Sequence, residues 1–309
     1  MGPGKVGVNL GRYFTHKGIK VSGFYGRNLD TVRQASEATN SKLYSSYEEI
    51  IKNSDILFIT TPDDIISIVD REISKFDLNN KSVCHASGSL KSTILSNAKL
   101  SGALIYSIHP MFAFSNKNMS LTELEKIYFS IEGDLSTENI NNIPVISLMK
   151  SIKNKYFIRN IEDSSVYHLA NVFVSNLVLS LLEIGTGYLR KLGLNEKDAL
   201  EALFPLIQGN MDSIHKNGFE NSLTGPVARG DIKTIKKHLK ILNGNDKELY
   251  NFLSLNLLKL VAERRCHNDE CNYTNIINKS LCTKDYALNE LLNTSTKYKE
   301  IFQLLGGTE

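Results

Sequence analysis

Residues 55–75 read DILFITTPDDIISIVDREISK, and this stretch decides the fold class. Residues 55–61 are a continuous apolar, β-branched run bounded by Pro62, which is typical of a strand buried on both faces of a parallel sheet. Residues 63–75 then repeat apolar side chains at helical spacing, with Asp63 as a candidate N-cap. A buried strand followed directly by an amphipathic helix indicates a β-α-β unit.

The same alternation of strand and helix runs through the first half of the chain. Strands are predicted at residues 20–25, 55–61, 81–85, 103–108, 127–132 and 155–158. Helices are predicted around them at residues 6–17, 29–39, 63–75, 89–99 and 138–150. Because crossovers between parallel strands are right-handed, such helices cover both faces of the sheet. The predicted fold class is α/β, with a Rossmann-type, doubly wound parallel sheet over residues 1–160.

The second half of the chain is predicted to be all-α. Apolar residues at spacings of three and four indicate one long helix over residues 165–192, and its apolar middle favours a buried central position. Further helices are predicted at residues 196–216, 231–243 and 246–265, with Asp231 as an N-cap. Residues 161–309 are therefore expected to form a helical domain, with a polar tail from about residue 266.

Composition limits the partners of the chain. Its 309 residues suggest two domains, and 36 Lys+Arg against 33 Asp+Glu give a net charge of +3 without a basic block, which argues against nucleic acid. No run of 18 apolar residues predicts a membrane span, and the N-terminus lacks a secretory signal pattern. The 4 Cys favour a reducing, cytoplasmic compartment over a disulfide scaffold.

Three cysteines and a histidine near the C-terminus raise the question of a metal site. Cys266, His267, Cys271 and Cys282 lack the paired C-x2-C spacing of structural zinc sites. We therefore expect no metal.

A glycine motif opens the chain. Gly2-Pro3-Gly4-Lys5-Val6-Gly7 fits G-x-G-x-x-G, whose glycines permit a tight turn, close approach to a pyrophosphate and close helix packing. The cofactor-binding residues predicted from this motif are Gly2, Gly4, Lys5, Val6 and Gly7.

The strand that should precede this motif is missing. The motif normally follows a central strand of about five residues, and the residues before Gly4 cannot supply one. We therefore expect that the natural chain begins upstream or that this chain is truncated. If Met1 is the true start, we expect an incomplete sheet and impaired cofactor binding.

Other candidate cofactor contacts follow predicted strands, where ligands of doubly wound sheets bind. They are Arg27, Thr61, Pro62, His85 and Ser87. NAD-binding proteins commonly place an acidic residue after the second strand, whereas this chain has Arg27, which suits the 2′-phosphate of NADP. We therefore expect NADP rather than NAD. The alternative for Arg27 is a solvated surface arginine.

Several of these stretches resemble a known family. Residues 55–66, His85-Ala86-Ser87-Gly88 and residues 107–111 (SIHPM) resemble a Rossmann-like domain that is paired with domain of unknown function 2520. The helical half resembles that second domain in Tyr167-His168, Ser175-Asn176-Leu177 and residues 223–231 (LTGPVARGD), with His238 downstream. The resemblance covers about residues 2–265. More distantly, the architecture is similar to 6-phosphogluconate-dehydrogenase-like proteins, which include pyrroline-5-carboxylate and ketopantoate reductases and β-hydroxyacid dehydrogenases.

This resemblance implies an active site between the two domains and a homodimer formed through the helices. Many of the β-hydroxyacid enzymes use a lysine four residues before an asparagine, but Val172 stands four residues before Asn176 here, so their mechanism does not transfer directly. The candidate proton donors are His168, at the start of the long helix, and His109, at the end of a strand. A purely structural histidine is the alternative for each.

Polar residues of the helical half are the candidate substrate contacts. Asn176 would orient the substrate, and Arg229 would anchor its carboxylate or phosphate from a loop that also holds Thr224. Asn171 is either a hydrogen-bonding core residue or part of the site.

The leading functional hypothesis is an NADP-dependent oxidoreductase. It would pass a hydride between the nicotinamide and a C=O or C=N carbon of a small anionic substrate. The alternatives are a non-catalytic NADP-binding sensor or regulator, and an interaction protein that binds no cofactor.

Overall fold

The computed structural model describes residues 1–135, 143–267 and 284–307. Its contacts divide the chain into two compact units, Met1–Val178 and Leu179–Glu309. The predicted combination of a Rossmann-like sheet and a helical C-terminal part is confirmed. The predicted domain limit at residue 160 stays a prediction.

Seven short strands lie in the described part of the N-terminal unit. They are β1 Gly23–Phe24, β2 Lys42–Leu43, β3 Ile56–Ile59, β4 Ser82–His85, β5 Leu104–Met111, β6 Tyr128–Gly133 and β7 Tyr156–Ile158. Strands β3, β4, β5, β6 and β7 pair in that order, and β1 pairs with β2 in a separate parallel ladder. All but β2 overlap predicted strands, and β2 was missed because its two residues are both exposed and form no apolar run.

Helices alternate with these strands along the N-terminal unit. They are α1 Lys5–His16, α2 Leu29–Ala38, α3 Tyr47–Lys52, α4 Asp63–Ile73, α5 Ser96–Leu100, α6 Leu121–Leu124, α7 Pro144–Ile152 and α8 Ser164–Val174. One buried cluster joins α1 and α7 to Cys84 and Tyr106, and another joins α3 and α4 to Val83 and Ile105. Because neighbouring residues of a strand point to opposite faces, these clusters lie on opposite sides of the sheet, as in the predicted doubly wound arrangement.

One strand departs from the parallel prediction. β6 runs antiparallel to β5, with Tyr106 opposite Gly133 and Met111 opposite Tyr128. The described connection between them contains only the four-residue helix α6. A parallel return requires a longer crossover, usually a full helix, so this short connection reverses the chain instead.

Two predicted helix starts are wrong in detail. Pro62, not Asp63, is the N-cap of α4. The helix predicted over residues 89–99 is a 3-10 turn at Ser92–Leu95 followed by α5. Ser92 donates its backbone N–H and its hydroxyl to the Glu132 carboxylate, and these bonds fix the start of that turn.

The long helix predicted over residues 165–192 is interrupted and exposed. It divides at Ser175 into α8 and α9 (Asn176–Arg190), where the Ser175 hydroxyl donates to the Asn171 carbonyl in addition to the backbone N–H, a pattern that bends helices. The predicted buried position is wrong for the single chain, because Val166 is 71% and Phe173 59% exposed.

This exposed segment also meets the length and composition expected of a membrane-crossing helix. Ile161–Arg190 has a mean hydropathy of 1.5 in its most apolar window, of which 6% is buried. Because polar residues are scattered through it, a search for unbroken apolar runs does not detect it. Length and composition alone are weak evidence for a membrane span.

The C-terminal unit is helical throughout its described part. It contains most of α9, followed by α10 Glu196–Ser222, α11 Gly225–Arg229, α12 Ile232–Ile241, α13 Gly244–His267, α14 Lys284–Thr294 and α15 Thr296–Leu304. Its core includes the fully buried residues Ile235, Leu258 and Ile301. Asp231 caps α12 as predicted, by accepting the Thr234 N–H at 3.0 Å.

Candidate functional site

The glycine motif forms a tight turn into α1. Gly2 has φ +94°, and Gly4 is the N-cap, with no side chain capping the helix and no acidic residue in its first turn. A Cβ on Gly7 would lie 2.5 Å from both the Gly2 carbonyl oxygen and the Thr60 hydroxyl, so the turn requires glycine there. The N–H groups and positive dipole end of α1 are therefore suited to a pyrophosphate.

The end of β3 lies against this turn. The Thr60 hydroxyl donates to the Gly2 carbonyl at 2.7 Å. The next hydroxyl, Thr61 Oγ1, is buried without a hydrogen-bond partner among the described residues. A buried polar group in this state costs about 1–3 kcal/mol. A polar ligand atom at this place would satisfy it, which is a second reason to place a cofactor here. Pro62 follows and is exposed.

Arg27 lies beyond the end of β1 and is exposed. The neighbouring rings of Tyr25 and Tyr47 have centroids 4.4 Å apart. Burial raises the pKa of Tyr47, and the positive charge of Arg27 acts in the opposite direction. An exposed cation beside aromatic rings suits a phosphate attached to a nucleoside.

Hydroxyl groups tie the turn after β4 to the start of α4. Asp63 accepts the hydroxyls of Ser87 and Ser89 at 2.9 and 2.6 Å. His85 is fully buried, and its ring accepts the Ser87 N–H and donates to the Lys91 carbonyl, both at 3.2 Å. Burial lowers the pKa of His85. Both predicted residues thus hold the turn, and a direct cofactor contact by either stays a prediction.

His109 of β5 forms a short hydrogen bond with Tyr167 of α8. The distance from His109 Nδ1 to the Tyr167 hydroxyl is 2.5 Å, and the rings meet edge to face. Burial, followed by the nearby charges of Arg159 and His168, lowers the pKa of His109 to about 4. Burial raises the pKa of Tyr167. At neutral pH both groups are therefore uncharged, and the pair can hold and pass one proton.

Arg159, directly after β7, contacts the Tyr167 ring and helps to hold the His109–Tyr167 pair in place. It is 6% exposed, and its guanidinium lies 4.9 Å from the centre of the Tyr167 ring. It donates to the hydroxyls of three serines and lies 3.8 Å from the buried Glu132 carboxylate. The serines are Ser107, Ser130 and Ser164. This network joins β5, β6 and α8 into one rigid support for His109 and Tyr167.

The other sequence candidates of this unit lie on α8 and α9. His168 is exposed and follows Tyr167 directly. The Asn171 side chain donates to the Tyr167 carbonyl at 2.8 Å, which is a bond within the helix. Asn176 is exposed and accepts the Ser175 hydroxyl at 2.9 Å. Roles in the site for these three residues stay predictions.

Comparisons with known proteins place the chain in a family. A family model for a domain of unknown function (DUF2520) matches residues 127–257. The solved structure of a Thermotoga maritima protein is 30% identical, and the match covers 85% of this chain and 98% of that protein, with a TM-score of 0.66. The chain belongs to the DUF2520 family. This confirms the resemblance inferred from the sequence.

More distant structures share the fold of this DUF2520 protein. A Bacteroides fragilis protein provisionally described as an NADP oxidoreductase is 21% identical over 84% of this chain and 96% of its own, with a TM-score of 0.63. Plasmodium falciparum pyrroline carboxylate reductase, solved with NADP bound, is 16% identical over 86% of this chain and 95% of its own, with a TM-score of 0.53. No curated protein matched the chain.

The predicted anion-binding loop of the C-terminal unit contains the short helix α11. Thr224 and Arg229 are both exposed at its two ends. The Asp231 carboxylate already occupies the N-terminus of α12, so that helix end offers no place for an anion. Anion binding by this loop therefore depends on the Arg229 side chain, and it stays a prediction.

The described part of the chain contains no cluster of side chains that could bind a metal ion. No group of three or more His, Cys, Asp or Glu side chains that could hold a metal ion occurs there. Cys271 and Cys282 lie outside the described residues. The expectation of no metal therefore stays a prediction.

Sequence reasoning missed Tyr167 and Arg159 as site residues. A signal for Arg159 exists, because it is a charged residue immediately after the predicted strand at 155–158. Tyr167 is part of the family resemblance, but nothing in its spacing connects it with His109, which is 58 residues earlier. Only the pairing of β5 with β6 and of β6 with β7 brings these residues together.

Proposed function

We propose that this DUF2520 protein is an NADP-dependent oxidoreductase that acts on a C=O or C=N carbon of a small anionic metabolite. The observation that carries the proposal is the uncharged His109–Tyr167 pair in the same unit as an uncapped helix N-terminus that follows a glycine turn. Its first test is reduction of a panel of keto and cyclic imino acids with NADPH.

The cofactor would be held by the glycine turn, the N-terminus of α1 and Thr61. Its 2′-phosphate would meet Arg27, which favours NADP over NAD. The NADP-bound Plasmodium falciparum structure supports this choice by sharing the fold. When bound, the cofactor supplies the hydride, and the protein supplies orientation and a proton.

Tyr167 is the proposed proton donor. In the tautomer that carries its proton on Nδ1, neutral His109 donates a hydrogen bond to the Tyr167 oxygen and stabilises negative charge there as the phenolic proton leaves. The Arg159 guanidinium over the ring favours the same charge. The proton passes to the substrate oxygen or nitrogen, and His168, exposed beside Tyr167, is the proposed route for its return from solvent.

Replacing Arg27 by alanine is expected to weaken NADPH binding about tenfold, equivalent to about 1.4 kcal/mol, and to leave NADH binding unchanged. The loss is specific because only NADPH carries the 2′-phosphate. Nucleotide fluorescence measures both dissociation constants, and the chain has no Trp to interfere. Arg71→Ala, an exposed change on α4, is the control. Equal weakening of NADH binding and NADPH binding would show that Arg27 does not distinguish the two cofactors.

We also propose a cytoplasmic homodimer formed through the exposed α8–α9 segment. On α8, Val166, Leu169 and Phe173 are each at least 53% exposed, and their spacing of three and four residues places them in one apolar stripe. The segment also carries polar residues that a bilayer would have to desolvate, namely His168, Asn171 and Asn176. A second copy of the chain can cover the stripe and leave these groups at its rim.

Phe173→Asp is expected to convert this dimer to a monomer, because a carboxylate would be desolvated within the stripe. Sedimentation velocity at several concentrations measures the change. Leu100→Asp is the matched control, since Leu100 is 88% exposed outside the stripe. A monomeric unmodified chain, or its partition onto lipid vesicles, would contradict the dimer.

A further inference from the structure

Gly88 lies in the turn after β4, and its backbone approaches the ring of His109 closely. A Cβ built on Gly88 would lie 2.9 Å from both Cε1 and Nε2 of His109 and 3.1 Å from Cδ2. Atoms in ordinary contact are about 3.5–4.0 Å apart, so a methyl group cannot share this space with the ring. Because the three distances are nearly equal, the methyl group would lie over the face of the ring and not beyond its edge.

The backbone conformation of Gly88 does not itself require glycine. Gly88 is not one of the glycines with positive φ, so an alanine there would avoid the strain of a left-handed conformation. The three atoms nearest to the added Cβ all belong to the His109 ring. The ring is therefore what excludes a side chain at Gly88.

The turn around Gly88 is held by hydrogen bonds of the residue before it. The Ser87 carbonyl accepts the Ser107 hydroxyl at 3.3 Å, and the Ser87 hydroxyl donates to Asp63 at 2.9 Å. Ser87 is 7% exposed, so a shift of the turn would leave buried polar groups without partners, at about 1–3 kcal/mol each. An added methyl group would therefore displace the His109 ring in preference to the turn.

The same ring carries the hydrogen bond to Tyr167. Nδ1 of His109 lies 2.5 Å from the Tyr167 hydroxyl. Rotation of the ring about its Cβ–Cγ bond would take Nδ1 away from this hydroxyl. Because the Gly88 backbone covers one face of the ring, that rotation would drive a ring edge into the turn.

We propose that Gly88 is a positioning residue: it leaves free the space that the His109 ring occupies, and it thereby holds Nδ1 of that ring against the Tyr167 hydroxyl. A side chain at Gly88 would turn the ring away and break this hydrogen bond. The placement of the ring is a property of the N-terminal unit by itself. Its effect on turnover rests on the proposed function, in which the bond stabilises negative charge on Tyr167.

A histidine titration followed by NMR tests the placement without cofactor or turnover. The His109 signal is assigned by its loss in His109→Ala. Burial holds the pKa of His109 at about 4, and in Gly88→Ala the displaced ring gains access to water, so this pKa is expected to rise toward about 6.5. His215 and His238, in the C-terminal unit, are internal references whose signals should not move. An unchanged titration of His109 in Gly88→Ala would overturn the proposal.

Thermal unfolding separates the contact with the ring from a general requirement for glycine. Gly88→Ala is expected to lower the thermal midpoint by about 3 °C or more, as overpacking does. In a chain that carries His109→Ala, the same change should lower it by less than about 1 °C, because the space is then empty. Gly209→Ala is the matched control, since a Cβ there would meet no atom within 4 Å, and it should not lower the midpoint.

The double variant also covers a failure to fold. If Gly88→Ala alone does not accumulate as folded protein, its combination with His109→Ala should restore folding. Failure of the combination as well would show that Gly88 serves the fold in general, and it would contradict the positioning role.

Turnover measures the functional consequence. Gly88→Ala is expected to lower the turnover number about 10-fold to 100-fold, the cost of a small misplacement in a catalytic site. In a chain that carries Tyr167→Phe, the same change should cost less than about twofold, because the bond it disturbs is already absent. Equal losses in both backgrounds would contradict the positioning role. A raised pKa of His109 in a chain without any NADPH-dependent turnover would refute the proposed function and still support the placement of the ring by Gly88.

Discussion

Replacing Arg159 by methionine is expected to destabilise the N-terminal unit by about 3–5 kcal/mol. The substitution keeps an unbranched apolar stem but removes the guanidinium that bonds to three serine hydroxyls and faces Glu132 at 3.8 Å. Glu132 is 2% exposed and would remain as a buried charge without a cationic partner. Urea unfolding followed by circular dichroism measures the loss.

Two further variants separate the buried ion pair from a general effect of charge removal. Arg33→Met removes an exposed partner of Asp30 and is expected to cost less than about 1 kcal/mol. Glu132→Gln combined with Arg159→Met should recover part of the loss, because no buried charge remains. A cost below about 1 kcal/mol for Arg159→Met alone would contradict the proposed support network.

Tyr167→Phe is expected to lower the turnover number about 10²–10⁴-fold, the range for loss of a general acid. The ring and its packing under Arg159 remain, so the NADPH dissociation constant should change little. Steady-state kinetics with the substrate identified from the panel, together with a nucleotide titration, separates the two effects.

The neighbouring exposed residue provides the matched control. His168→Gln should lower turnover much less than Tyr167→Phe, because His168 only exchanges protons with solvent in the proposed scheme. A larger loss of turnover for His168→Gln than for Tyr167→Phe would indicate that His168 is the proton donor.

The pH profile tests the same assignment without a mutation. An ordinary histidinium donor, with a pKa near 6.5, would lose activity as the pH rises through that value. Because the pKa of His109 is about 4 and that of Tyr167 is raised, we expect no such loss between pH 5 and pH 8. A loss centred near pH 6.5 that persists in the His168→Gln variant would exclude Tyr167 as the donor.

The stability of the fold should depend on pH through His109. Its pKa is lower in the folded protein than in the unfolded chain, so the unfolded chain binds more protons between about pH 4 and pH 6.5. Stability is therefore present above that window and is lost as the pH falls through it. His109→Gln should flatten this part of a urea-unfolding series.

The sequence was sufficient to predict the doubly wound sheet. Apolar runs such as residues 55–61 indicate buried strands because helices cover both sides of them. The direction of β6 was not predictable in this way, because an apolar run has no direction. The exposure of α8 and α9 in the single chain was not predictable either. Apolar periodicity shows that a helix has an apolar face, but it does not show which other segment or partner covers that face.

The candidate site also has a part that the sequence could predict and a part that it could not. The glycine turn is local, so its six-residue pattern contains most of the relevant geometry. The Arg159–Tyr167–His109 network depends on pairings between strands far apart in the chain, and no local pattern records them. His85 lies at the end of a strand, where a ligand contact is predicted, and the structure adds that its ring bonds to the turn that follows.

The most direct test of the central claim is a titration of the full chain with NADPH and with NADH, followed by nucleotide fluorescence. Binding should be saturable for both nucleotides and tighter for NADPH, because the glycine turn and α1 would hold the shared pyrophosphate and Arg27 only the 2′-phosphate. Absence of binding in a folded sample, or tighter binding of NADH, would contradict an NADP-dependent function.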